Sequence, residues 1–92
     1  MNNITLSQIL DFLNQNNIPY QIERAEREIN QTQFFFASIK NCIKNGVYYF
    51  EDSASISKYN IINSIIISKE KTDSPSNCFI LVDSPQLVHY KL

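Results

Sequence analysis

The chain predicts a small α/β domain of short, mostly parallel strands with a helix toward each end. Three features carry that expectation. Ile65-Ile66-Ile67, between Ser64 and Ser68, and Cys78-Phe79-Ile80-Leu81-Val82 are unbroken apolar runs, as strands covered on both faces are. Leu6, Ile9, Leu10 and Leu13 recur at helical spacing behind a Thr5/Gln8 capping-box pattern. Ser84-Pro85 sets an N-cap residue before a proline suited to the first helical position.

In chain order, the first helix is expected over residues 5–16, with Phe12 beside its apolar stripe. Asn14-Gln15-Asn16-Asn17 ends the stripe and Pro19 blocks continuation. Residues 20–23 alternate polar and apolar like a short half-buried strand. The charged stretch 24–30 reads as a solvated connection, since exposed ion pairs add little stability. Residues 34–39 are aromatic and strand-like, and a turn of helix is expected over 41–44. Asn45-Gly46 signals a turn before a strand at 47–50. Residues 53–58 suit a short helix, 64–68 and 78–82 the buried strands, and 69–77 a polar loop. In the last helix Leu87, Val88 and Leu92 are expected to face the sheet. The sequence stops about one and a half turns into that helix, so we expect one domain over 1–92, either a fragment of a longer protein or a very compact module.

Composition narrows the function. Eight Lys and Arg against nine Asp and Glu leave a net charge of −1, without the basic excess of a duplex nucleic-acid binder. The 43% apolar fraction suits a globular chain. No apolar run approaches the ~20 residues of a membrane span. Met1 to Thr5 lacks a basic segment followed by an apolar one, so no secretory signal is read and a cytoplasmic location is expected. Two cysteines, Cys42 and Cys78, provide neither a disulfide framework nor a four-thiolate zinc site. A single glycine excludes glycine-rich phosphate loops, which need several positions of close backbone approach. The surplus of Ile, Asn, Lys and Ser is attributed to AT-rich codon usage.

Few residues offer chemistry. Glu51 and Asp52 are adjacent, so on a strand they would point to opposite faces and read as a solvated pair rather than an acid–base couple. Cys42 would need a base beside it to act as a nucleophile, and the one histidine, His89, is distant in sequence. Cys78 opens an apolar strand and reads as core. His89 reads as a packing or surface residue, because no second histidine exists to share a metal. No catalytic residue, metal or cofactor is therefore expected in this domain. The aromatics say more. Phe34, Phe36, Tyr48 and Phe50 suit a core, whereas Phe50 and Tyr59 fall near a strand end where a nucleobase could stack.

Several segments together resemble the N-terminal domain of UDP-3-O-acylglucosamine N-acyltransferase, the lipid A enzyme, which precedes a left-handed β-helix catalytic domain. Thr5-Leu6-Ser7-Gln8-Ile9-Leu10 is similar to that family's first helix. Phe36-Ala37-Ser38-Ile39 and Asn45-Gly46-Val47-Tyr48-Tyr49-Phe50 resemble its "VASL…PGDLSFL" segment. Asn63-Ser64-Ile65-Ile66-Ile67-Ser68 resembles its "ASAVIVS" strand, and Phe79 through Leu92 its "ALLVVDNPYLAFAKL". A weaker likeness is to the N-terminal domains of the Mur ligases, which bind the uridine end of peptidoglycan precursors.

The resemblance implies a non-catalytic, uridine-binding domain for a nucleotide sugar. In the acyltransferase family a phenylalanine and a nearby Asn-Pro-Lys-Tyr stretch serve that role. Phe50 matches the phenylalanine, but Ser53-Ala54-Ser55-Ile56 stands where the stretch is aligned, and Lys58-Tyr59 follows three positions later. The expected ligand-binding set is Phe50, Ser53, Tyr59 and Asn60, with Phe50 and Tyr59 flanking a base. The expected partners are a UDP-sugar and either a hexapeptide-repeat catalytic domain or a second copy of the domain, with no nucleic acid and no membrane span. The family's catalytic histidine belongs to the β-helix, so His89 does not inherit its role. The alternative is a structural or protein-interaction module of the same fold without the ligand.

Overall fold

A computed structural model describes residues 3–23, 32–37, 40, 43–59, 61–72 and 76–92. The expected connection at 24–30, Cys42 and Asn60 lie outside the described residues. The elements are β1 (Asn3–Ile4), α1 (Leu6–Gln15), β2 (Gln21–Glu23), β3 (Phe34–Phe36), β4 (Gly46–Phe50), a 3-10 helix (Ser53–Lys58), β5 (Ile65–Ser68), β6 (Cys78–Leu81) and α2 (Pro85–Lys91).

The strands form one sheet in the order β1-β3-β4-β5-β6-β2. The inner four, β3 to β6, run parallel and in chain order, whereas β1 and β2 close the two edges antiparallel. Mostly parallel pairing is as the unbroken apolar runs predict. The length of α1 carries the chain from one edge to the other. The two edges stand five strand spacings apart, about 24 Å, and the ten residues of α1 cover about 15 Å of that span. The chain thus lays α1 across one face and drops a strand on either flank.

Local chemistry ends α1 at both sides. Thr5 Oγ1 accepts the Gln8 N–H at 3.2 Å, and Gln8 Oε1 accepts the Thr5 N–H at 2.8 Å, completing the capping box. At the other end Asn17 adopts φ 56°. The Ile18 N–H then reaches Leu13 O and the Asn17 N–H reaches Asn14 O, the paired bonds of a Schellman cap. Asn45 and Asn63 also take positive φ, 57° and 53°. Asparagine tolerates that region through its short polar side chain, so a chain with one glycine still turns where it must.

Each inner strand feeds two cores. Leu6, Ile9 and Leu13 of α1 and Val88 of α2 pack on one face with Val47, Ile65, Ile67, Cys78 and Ile80. Tyr48, Phe50, Ile66 and Phe79 fill the other face, covered by Ile56 and Ile61 from the β4–β5 connection. Both helices thus share one face, and among the described residues the 3-10 helix and its flanks cover the second. The expected core aromatics divide: Phe34, Tyr48 and Phe50 are buried, and Phe36 is partly buried at the rim of the helix-side core.

Two expectations for α2 need correction. Leu87 does not face the sheet but is 52% exposed, because the buried positions are Pro85 and Val88, with Leu92 continuing that side. Ser84 occupies the N-cap position without a side-chain capping bond. Pro85 instead starts the helix by its fixed φ.

Gly46 is required for clearance rather than for backbone freedom. A Cβ there would lie 2.6 Å from the Tyr48 ring. That ring cannot retreat, since Tyr48 Oη accepts the Ile43 N–H at 2.6 Å and donates to Ile43 O at 3.0 Å. Gly46→Ala should therefore destabilise the domain by about 1–3 kcal/mol, the usual cost of overpacking. Urea unfolding of the two proteins would measure it, and an unchanged midpoint would mean the ring has room to move.

Candidate functional site

In open parallel sheets ligands settle in the crevice beyond the carboxyl ends of the strands, where connections diverge to opposite faces. At the carboxyl end of β4 the two faces of the sheet carry different elements, one following β4 and the other following β6. The chain turns into the 3-10 helix on one face, while α2 packs against β4 and β5 on the other. Between them lies a cavity of about 490 Å³, within the range of small-molecule sites.

Its walls follow from strand alternation. Tyr48 and Phe50 present one side of β4 and Tyr49 the other. Tyr59, immediately after the 3-10 helix, brings its ring to 5.7 Å from that of Phe50, tilted by 41°. Ala37, Glu51, Asp52, Ser55 and His89 complete the lining. The 3-10 helix is placed by Asp52, whose Oδ1 accepts the Ala54 N–H at 3.0 Å as an N-cap. Glu51 ties the two sides of the crevice together: its Oε2 accepts the Gln86 N–H of α2 at 2.8 Å, and its Oε1 stands 3.8 Å from Lys69 Nζ.

His89 is the most constrained polar group of the wall. Its ring meets Phe36 edge-on at 5.6 Å and lies 4.9 Å from Tyr49. Nε2 lies 3.1 Å from Val47 O. A carbonyl can only accept, so Nε2 carries the proton and Nδ1 is the bare nitrogen of the neutral ring. Burial among these rings pushes the imidazole below its ordinary value of 6.5, outweighing the Val47 bond, which favours the charged form.

The expected site residues fare differently. Phe50 and Tyr59 are brought together on one wall. Phe50 is only 5% exposed and belongs to the second core as much as to the cavity. Ser53 is the first residue of the 3-10 helix, and Asn60 lies outside the described residues. Tyr49, Glu51, Asp52, Ser55 and His89 join the site without having been assigned to it. Glu51 and Asp52 are not a strand pair but follow β4, each holding a backbone N–H. Among the described residues no three His, Cys, Asp or Glu side chains group as metal ligands, and no helix is long and apolar enough to cross a membrane.

The His89 environment makes a pH prediction. In the unfolded chain the imidazole gains a proton near pH 6.5, whereas in the folded chain it resists until lower pH. The unfolded state thus binds more protons between those values, so stability is fully present above 6.5 and falls as pH drops below it. Unfolding curves from pH 7.5 to 5.5 should show that loss in the native protein, and His89→Gln should lack it. Equal pH slopes for the two would place the loss elsewhere.

No family model, curated protein or solved structure matches the chain.

Proposed function

We propose that this is a non-catalytic nucleotide-sugar-binding domain that holds a uridine in the cavity at the carboxyl end of β4. One observation carries the reading: Phe50 and Tyr59 line the same cavity with ring centroids 5.7 Å apart, one aromatic wall on which a base can stack rather than the pair of flanking rings expected. Tyr49 and His89 widen the aromatic lining, and the bare Nδ1 of His89 is an acceptor suited to an imide N–H of a pyrimidine. The carboxylates of Glu51 and Asp52 can accept ribose hydroxyls on the lone pairs their backbone partners leave open. The resemblance to the N-terminal domain of the lipid A N-acyltransferase supplies the ligand class, with a hexapeptide-repeat catalytic domain as the natural neighbour and a cytoplasmic setting.

A second reading has its own observation. On the outer side of α2, Leu87 is 52% and Tyr90 85% exposed, which suits a module of the same fold that braces another protein and binds no nucleotide.

Titration of isotope-labelled protein with UMP and UDP-N-acetylglucosamine separates the two. Saturable shifts of Tyr49, Phe50, Ser55, Tyr59 and His89 are expected, and a flat response at millimolar ligand would leave the docking reading. Tyr59→Ala should weaken UMP by about 5- to 150-fold, since base stacking contributes about 1–3 kcal/mol, with a smaller loss of stability than Phe50→Ala because Tyr59 packs only on the margin of the second core. Phe50→Ala should instead destabilise the fold by about 3–5 kcal/mol, because the ring is a buried core residue. Comparable unfolding midpoints for Phe50→Ala and the native protein would take Phe50 out of the core.

A further inference from the structure

Among the described residues, the lining of the aromatic cavity includes two carboxylates, Glu51 and Asp52, and no lysine or arginine. Base and ribose suit such walls, but a nucleotide's phosphates inside them would meet like charge. The counter-charge stands one strand away. Phe50 of β4 registers with Ser68 of the parallel neighbour β5, so Glu51 and Lys69 leave the ladder side by side. Lys69 Nζ comes to 3.8 Å from Glu51 Oε1. Glu51 is thus the rim of the aromatic cavity, and the ammonium lies just beyond that rim. Lys69 also lines a second cavity of about 370 Å³ at the same end of the sheet, with Tyr20, Gln21 and Asp83.

The Glu51–Lys69 pair is easily exchanged. Its side chains are 48% and 53% exposed, and exposed pairs at that separation contribute little. Glu51 keeps the Gln86 N–H on its other oxygen, so it holds its place when Lys69 swings away. A phosphate offers the ammonium several strong acceptor oxygens and a fuller charge than one carboxylate does.

We propose that Lys69 is the phosphate-binding residue of this site. It rests on the uridine reading: the base occupies the aromatic cavity, the ribose crosses the Glu51 rim, and the 5′-phosphate takes the Lys69 ammonium from Glu51. The second cavity then receives whatever the phosphates carry.

Calorimetric titrations of the 92-residue chain with uridine, UMP and UDP test this against Lys69→Gln, Lys69→Arg and Glu51→Gln. The native protein should prefer UMP to uridine by about three- to tenfold at low salt, and the preference should shrink as salt screens the contact. Lys69→Gln should erase the preference while leaving uridine affinity and the unfolding midpoint unchanged, and Lys69→Arg should retain it. Glu51→Gln, which keeps an acceptor for Gln86 and releases the Lys69 ammonium, should raise the ratio of UMP to uridine affinity above that of the native protein. A phosphate preference that survives Lys69→Gln, or equal affinity of the native protein for uridine and UMP, overturns the assignment of Lys69 and leaves the uridine cavity standing. Absence of binding by all three ligands overturns the uridine reading and this assignment together.

Discussion

Ser64 and Asn77 tie the amino ends of β4, β5 and β6 into one register, and the carboxyl end of the sheet inherits its geometry from that tie. Asn77 Oδ1 accepts the Ser64 N–H and its Nδ2 donates to Ile61 O, each at 2.9 Å. Ser64 Oγ accepts the Gly46 N–H at 3.1 Å and lies 2.8 Å from Ile62 O. Both side chains are buried, where a half-made network would cost more than an apolar contact. A slip of one residue between β4 and β5 would break the Gly46–Ser64 bond. It would also send Ile65 and Ile67 to the face now held by Ile66. Glu51 and Lys69 would part by about 3.3 Å. Register is thus paid for at one end of the sheet and used at the other.

The same register sorts the side chains into two unlike cores. The face under α1 and α2 is aliphatic apart from Phe34, with Leu, Ile, Val and Cys interleaved. The opposite face carries Tyr48, Phe50 and Phe79, large rings that fill space with few residues. That economy matters because, among the described residues, no α-helix covers the second face. A six-residue 3-10 helix contributes Ile56 and brings in Tyr59 at its end. It closes the middle of the aromatic face and leaves the carboxyl end of β4 open. The cavity thus opens between the 3-10 helix of one face and α2 of the other.

Much of the scaffold was legible in the sequence because its signals are local. Thr5 and Gln8 are three apart, and Ile65-Ile66-Ile67 declares a doubly covered strand without outside help. Two-residue β1 carries no pattern to read, and only its pairing with Phe34 and Phe35 makes it a strand. Leu87 misled because a seven-residue helix offers too few positions to fix a phase; Pro85 and Val88 set it one step away. The asparagines were put down to codon usage, yet three of them hold the positive-φ turns that glycine holds elsewhere. In the site, Phe50 and Tyr59 were legible through a resemblance. His89 beside Val47, 42 positions away, and Lys69 beside Glu51 were not, since only the sheet brings them together.

The two functional readings share a wall, which decides what perturbations can tell them apart. His89 and Tyr49 line both the aromatic cavity and a shallower hollow of about 330 Å³ bordered by Gln86, Leu87 and Tyr90. A change at either shared residue disturbs the cavity and the outer side of α2 together, so it discriminates nothing. Tyr59 touches only the cavity, and Tyr90 only the outer hollow. Phe50 is poorly suited for a different reason: its ring holds the second core, and loss of binding there would follow from loss of packing. Discrimination therefore belongs to the residues with a single allegiance. Those are Tyr59 for the nucleobase, at the margin of the second core, and Leu87 and Tyr90 for a protein partner, both exposed.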